Sequence, residues 1–390
     1  MNLLYVSDSP TLSGAEVVLL GHLAAFRPPN YTTHVLLRAS NRRLAAALDR
    51  QCISYTTTGD FSVTPVRTTA SPSALRQFVR SFVRVSSQIA GIIRAREIDL
   101  VHTVMYPAVL HVALACRRAS CSQVWHEHNI KHVHAVNRPI YRWAARTCDR
   151  VIGPSHAVTT ALAQAGIPPQ KITTVYNGID LDRFRIDDAR AAAVRRELGL
   201  APEQPAIALS GQMLPYKGHI TLIDALPTVI RHFPTLRVFF VGARENPPYE
   251  AELTARVAAH GLGTHVAWTG WREDVAHVLR AMSVVVVPTL TPEPAALSLM
   301  ETMAMGRPVI GSRTGGTPEI IEDGISGLVF PPGRSDVLAE RLLLVLGDRA
   351  LADRLGYAGQ QRVTSRFSLD RHVREIEDLY AACGRTGGRQ

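Results

Sequence analysis

At 390 residues, with 46% hydrophobic and 19% charged side chains, the chain is long enough for two domains with substantial cores. Its longest apolar runs, such as Ser283-Val-Val-Val-Val-Pro288, are only strand-length, which argues against a membrane-spanning helix. The net charge of +10 is concentrated early: residues 1–185 hold 21 Lys and Arg against 10 Asp and Glu, whereas residues 186–390 hold 22 against 23. That asymmetry points to an anionic partner surface, a phosphorylated acceptor or lipid headgroups, and no pattern for reading nucleic acid accompanies it.

In chain order, the opening Met1-Asn-Leu-Leu-Tyr-Val-Ser-Asp8 lacks the basic start of a leader peptide and reads as a buried strand. Further β-rich runs at 34–37, 100–104, 151–153, 207–209, 238–241, 284–287 and 309–310 alternate with helical patterns. This is the signature of parallel sheets covered by helices on both faces, here in two sets. Ser13-Gly-Ala-Glu16 follows the first strand and should open a helix, leaving Gly14 where a backbone can approach a phosphate. Within residues 74–96, Arg76, Arg80 and Arg84 fall on one helical stripe, with Phe78, Val79, Phe82, Val83 and Ile89 largely elsewhere. That basic amphipathic helix either packs on the first sheet with solvated arginines or docks on anionic lipid.

Trp125-His-Glu-His-Asn129 puts polar, titratable groups just after a strand. His126 and His128 are two apart, but no complementary cluster completes a metal site, and the Asp180/Asp182 pair in a turn is no better, so no metal is expected. Five scattered cysteines without metal-ligand spacing fit reduced thiols in the cytoplasm. The turn Asn177-Gly-Ile-Asp180 and the polar segment after it mark a domain break, placed between residues 185 and 186. Beyond it, Ser210-Gly-Gln-Met-Leu-Pro-Tyr-Lys-Gly218 carries Lys217, one of only three lysines, in a Gly-containing loop after a strand.

The segment Glu293-Pro-Ala-Ala-Leu-Ser-Leu-Met-Glu301 then sets two carboxylates eight positions apart among apolar and small residues. Pro294 suits a first helical position, so Glu293 should sit just ahead of a helix ending near Gly306, with Glu301 about two turns inside. A carboxylate there is costly unless something polar meets it.

The Glu-x7-Glu spacing and its continuation, Ala304-Met-Gly-Arg-Pro-Val-Ile-Gly-Ser-Arg-Thr-Gly-Gly-Thr-Pro-Glu319, resemble the signature of the retaining family 4 glycosyltransferases. The likeness covers nearly the whole chain and is tightest over residues 205–332. It implies an α/β GT-B architecture, two Rossmann-like doubly wound domains facing across a cleft. They would be residues 1–185, with a crossover helix at about 369–390, and residues 186–368.

By the same resemblance Glu293 contacts the donor sugar, Glu301 the ribose, and the amides of Ala296 and Leu297 the diphosphate. The loop resembles the family's Gly-Arg-x4-Lys-Gly, with Lys217 as diphosphate counter-ion and Gln212 in place of arginine. His128 matches a histidine that contacts the sugar near its reacting carbon, His126 being held in reserve, and Trp271 and Arg272 border the base pocket. Ala295 and Ala296 stand where the family has an aromatic residue and glycine. The implied activity is sugar transfer from a nucleotide diphosphate sugar to a glycan, glycolipid or small-molecule alcohol, without cofactor. The implied location is cytoplasmic or peripheral at the membrane's inner face. The other reading is a non-catalytic sugar-nucleotide-binding or scaffold subunit of the same fold.

Overall fold

A computed structural model describes residues 1–59, 61, 72–130 and 138–386. The chain divides into two compact units, Met1–Gly178 together with the segment from Asp370 onward, and Ile179–Leu369.

The first unit holds strands β1 (Asn2–Ser7), β2 (Thr32–Arg38), β3 (Ser54–Thr58), β4 (Leu100–Val104), β5 (Ser122–His126), β6 (Arg150–Gly153) and β7 (Ile172–Thr174). They form one parallel sheet in the order β3-β2-β1-β4-β5-β6-β7. Alternation along β1 sorts its side chains between the two faces. Leu3 and Tyr5 pack with Leu19, Leu23, Ile376 and Tyr380, whereas Leu4 and Val6 pack with Val85, Ile89, Val101 and Val112. Helix Leu369–Thr386 belongs to this unit because Ile376, Tyr380 and Cys383 form a buried stripe at helical spacing.

The second unit holds β8 (Ala206–Ser210), β9 (Arg237–Val241), β10 (Val266–Gly270), β11 (Val284–Val287), β12 (Val309–Ser312) and β13 (Leu328–Phe330). Its parallel order is β10-β9-β8-β11-β12-β13. In both sheets the strand order reverses beside the first strand, at β1/β4 and at β8/β11, which is where open α/β sheets bind ligands at their carboxyl ends.

Of the five strands outside the apolar runs, β3, β7, β10 and β13 are the four sheet edges, and β5 lies inside the first sheet. An edge strand buries less of itself, so Ser54-Tyr-Thr-Thr-Thr58 needs no apolar run. Strand β5 extends to His126, so that residue ends the strand rather than following it.

The break also falls earlier than residue 185. Ile179 donates its N–H to Phe367 O (2.9 Å) and accepts from Leu369 N–H (2.9 Å), pairing the outgoing chain with the returning chain inside the second unit. Residues 179–185 therefore fold with the second unit.

Candidate active site

The loop after β8 climbs through Gly211 and Gln212, both half-buried, to a single helical turn, Pro215–Lys217. Gly218 ends that turn with φ +76°, and a Cβ there would lie 1.9 Å from the Pro288 carbonyl oxygen. Only glycine lets this loop press on the one that follows β11. Leu290 N–H also bonds to Tyr216 O at 2.8 Å, so the two loops are joined backbone to backbone.

That junction brings Lys217 to Glu293. The Lys217 Nζ donates to Glu293 Oε1, and both side chains are mostly buried, at 16% and 15% exposure. Burial by itself would push the Lys217 ammonium toward neutrality; the carboxylate of Glu293, with Tyr216 and Glu301, outweighs it and raises its pKa above the ordinary lysine value. The other Glu293 oxygen, Oε2, accepts from Thr289 Oγ1 at 2.8 Å. The Glu293 backbone is fixed as well: Gly316 N–H bonds to Glu293 O at 2.8 Å, and a Cβ on Gly315 (φ +55°) would sit 2.1 Å from that same oxygen.

The helix beyond begins at Leu297, not at Pro294, and runs to Ala304. The contact with Gly315 and Gly316 holds Glu293 in a non-helical loop and overrides proline's preference for a first helical position. Glu301 is consequently little more than one turn inside the helix, rather than two. Ala296 is its N-cap, and no side chain caps it. The first amides of such a helix lack intrahelical partners, and with the helix dipole they suit an anion.

Glu301 is half-buried, and among the described residues none hydrogen-bonds to its carboxylate. Burial raises its pKa, with Arg183 and then Lys217 pulling partly the other way. Arg183 is a neighbour the sequence did not single out; its position follows from an Asx turn in which Asp180 Oδ1 accepts Asp182 N–H (3.0 Å) and Arg183 N–H (3.2 Å).

Trp271 is 65% exposed. Arg272 is committed elsewhere: it meets both oxygens of Asp274 at 2.7 Å and both of Glu197 at 2.5 and 3.1 Å. Four of its five donors are thus spent on a structural cluster, and that pairing, to Glu197 first and then Asp274, raises its pKa.

In the first unit, Gly14 is the exposed first residue of helix Gly14–Ala25. Buried Glu16 braces that start, accepting from Ser13 N–H (2.9 Å), Ser13 Oγ (2.5 Å) and Ser7 Oγ (3.1 Å).

His128, 9% exposed just past β5, lies at the rim of a buried histidine cluster, its ring centroid 4.0 Å from that of His126. His22, His102 and His372, from a helix, a strand and the C-terminal helix, complete it. The Tyr176 carbonyl can only accept, so His372 Nδ1–H donates to it (2.7 Å). His372 Nε2 then accepts from His22 Nε2–H (2.6 Å). His102 Nδ1 meets Tyr380 Oη at 2.6 Å, and Tyr380 Oη meets Tyr5 Oη at 3.1 Å.

Burial first and repulsion by neighbouring histidines second hold His128 and His102 down to about 3 and His22 and His126 well below the ordinary value. In His372 burial, joined by Arg371, outweighs the hydrogen bond to the Tyr176 carbonyl and lowers it to about 4. No group of three or more His, Cys, Asp or Glu among the described residues is arranged to hold a metal ion. Nothing in the local sequence around His22 or His372 signals the cluster, since its members are joined only by the fold.

Arg76, Arg80 and Arg84 are exposed along helix Pro72–Ala95, while Val85, Ile89, Ala90 and Ile93 face the core. Val79 and Val83 share the exposed face with the arginines, at 48% and 42% exposure, instead of lying elsewhere on the helix. The Phe78 side chain is outside the described residues. No helix among the described residues is long and apolar enough to cross a membrane.

Residues 12–183 match the family described as Glycosyltransferase Family 4, and residues 191–362 match Glycosyl transferases group 1. The chain is a group 1, family 4 glycosyltransferase. It is 34% identical over 221 residues to a D-inositol 3-phosphate glycosyltransferase of Jonesia denitrificans, a match covering 54% of this chain and about half (51%) of that relative. A GDP-mannose-dependent alpha-(1-6)-phosphatidylinositol monomannoside mannosyltransferase of Mycobacterium tuberculosis is 29% identical over 72% of this chain and 75% of its own length.

Among solved structures, Anabaena HepE in complex with UDP and glucose superposes with a TM-score of 0.85 at 24% identity, covering 98% of this chain and 100% of HepE. Sucrose-phosphate synthase from Thermosynechococcus elongatus gives 0.78 at 20% identity, covering 98% of each. The fold of this family 4 glycosyltransferase is accordingly GT-B, with two Rossmann-like units.

The buried histidines carry a pH signature. Between about pH 6.5, where free histidine titrates, and about pH 3, the unfolded chain takes up protons that the folded cluster does not. Stability should therefore fall as pH drops through this window, and a His102→Asn variant should show a shallower slope. Urea midpoints measured from pH 7.5 to 4 check this; identical slopes for both proteins would contradict it.

Proposed function

We propose that this chain is a retaining glycosyltransferase that moves a sugar from a nucleotide diphosphate sugar to a hydroxyl of a lipid-linked or glycan acceptor. The observation that carries the reading is the Lys217–Glu293 pair beside the uncapped start of helix Leu297–Ala304, next to the β8/β11 strand-order reversal. A leaving diphosphate needs preorganised positive charge and amide donors, and these groups supply both. The Lys217 ammonium and the amides of Ala296 and Leu297 would receive the phosphates, with Gln212 adding a neutral donor. The half-buried carboxylate of Glu301, which no described side chain occupies, suits ribose hydroxyls.

Glu293 would hold sugar hydroxyls, and His128 keeps the sugar contact that the family resemblance gives it; burial leaves its ring neutral and able to both donate and accept. Retention fits front-face attack, in which the leaving phosphate takes the acceptor proton. Both Glu293 oxygens already accept hydrogen bonds from Lys217 and Thr289, which lowers their nucleophilicity and disfavours double displacement.

The lipid end of the reading rests on the exposed stripe of Arg76, Arg80 and Arg84 interleaved with Val79 and Val83, a pattern suited to the inner face of an anionic membrane. The Mycobacterium tuberculosis relative's name, which specifies phosphatidylinositol monomannoside, supports this choice.

Lys217→Ala should lower kcat/KM for the donor by about 100-fold, the scale of losing one charge-stabilising group, in steady-state donor turnover; a near-normal value would refute the diphosphate role. Glu301→Ala should weaken UDP or GDP binding by about tenfold in calorimetry while Glu293→Ala leaves it nearly unchanged and lowers turnover instead. In liposome co-sedimentation the wild type should bind vesicles containing phosphatidylglycerol at low salt and release them at high salt, and the Arg76/Arg80/Arg84→Gln variant should not bind. Wild-type indifference to anionic lipid would leave a soluble acceptor.

A further inference from the structure

We infer that Thr289 is a positioning residue that fixes the plane of the Glu293 carboxylate, working with the turn at Gly315 and Gly316. The inference rests on the glycosyl-transfer reading and adds a residue to it.

A carboxylate held by one contact can still swing about its Cγ–Cδ bond; held by separate donors on its two oxygens, it cannot. Lys217 Nζ takes Oε1 and Thr289 Oγ1 takes Oε2. A threonine hydroxyl has a single proton, and an ionised carboxylate only accepts, so the direction of the second bond is settled by chemistry.

Thr289 is itself immobilised. It is 1% exposed and sits between Pro288, against which Gly218 packs, and Leu290, whose N–H is bonded to Tyr216 O. Its β-branch limits rotation about χ1, so the hydroxyl's direction is set by the backbone. At the other end of Glu293, Gly316 N–H holds the main-chain oxygen, and Gly315 lies so close to the Glu293 backbone that any Cβ there would collide with it. Glu293 is thus held at its carboxylate by the loops following β8 and β11 and at its main chain by the loop following β12, and the remaining carboxylate lone pairs keep one fixed direction.

Within this clamp the Thr289 hydroxyl acts on chemistry rather than nucleotide binding, because it bonds to Glu293 and not to Lys217, Glu301 or the amides of Ala296 and Leu297. Thr289→Val keeps shape and loses the hydroxyl; Thr289→Ser keeps the hydroxyl. Donor cleavage can be followed without an acceptor, using UDP-glucose and GDP-mannose, the donors named for a solved neighbour and a relative.

With whichever donor the wild type cleaves faster, Thr289→Val should lower kcat about tenfold, as for one hydrogen bond to a charged group, with KM and UDP or GDP affinity within about threefold. Thr289→Ser should recover most of the loss. Unchanged kcat in Thr289→Val, or equal impairment in both variants, would overturn the assignment. If the wild type cleaves neither donor, the fault lies with the glycosyl-transfer reading for those donors. Crystal structures of the wild type and Thr289→Val then decide the clamp separately: a rotated Glu293 carboxylate in the variant supports it, and an unmoved one refutes it.

Discussion

The ion pair between Lys217 and Glu293 is the constraint around which the second unit's site is built. It is not primarily a stability device. Two charges mostly removed from water pay a desolvation cost that roughly cancels their attraction, whereas removing one partner strands the other at a cost of about 3–5 kcal/mol. Everything near the pair serves to keep both partners in place: Gly218 against Pro288, Gly315 against Glu293, Thr289 on the second oxygen. A compact ammonium suits this position better than a guanidinium fork, because it can serve a carboxylate and still present a point charge to a phosphate.

The scaffold supplies the approach. In both units the sheet is parallel and its order reverses beside the first strand, so the loops after neighbouring strands diverge and leave their carboxyl ends open. In the second unit the loops after β8, β11 and β12 then converge on Glu293 through backbone contacts that only glycine permits. Since main chain rather than flexible side chain makes these contacts, the carboxylate and ammonium are held at the precision of the sheet itself.

The first unit solves a different problem. It closes its core over the C-terminal helix with five neutral histidines and two tyrosines, Tyr5 and Tyr380, instead of aliphatic side chains alone. Neutral imidazole can pass a hydrogen bond from ring to ring, as from His22 through His372 to the Tyr176 carbonyl, and so bury polar atoms with some of them satisfied. The cluster ends at His128, which ties the sugar-contact candidate to the helix that returns from the second unit.

By itself the sequence determined the class of fold, because buried parallel strands must be written as continuous apolar runs; it also exposed Lys217, Glu293 and Glu301, because charges in such surroundings are conspicuous. Edge strand β3, partly exposed, left no such mark, and edge strand β13 is buried but only three residues long. Only the tertiary structure decided the rest. Helix Leu297–Ala304 starts three residues after Pro294, because a distant turn claims the Glu293 backbone. Arg272 is spent on Glu197, 75 positions away, and Val79 and Val83 emerge beside the arginines because of how their helix rolls onto the sheet. Thr289, Gly315 and the histidines owe their meaning to partners remote in sequence. Local patterning records what a residue needs from solvent, and it carries no record of which distant group will meet it.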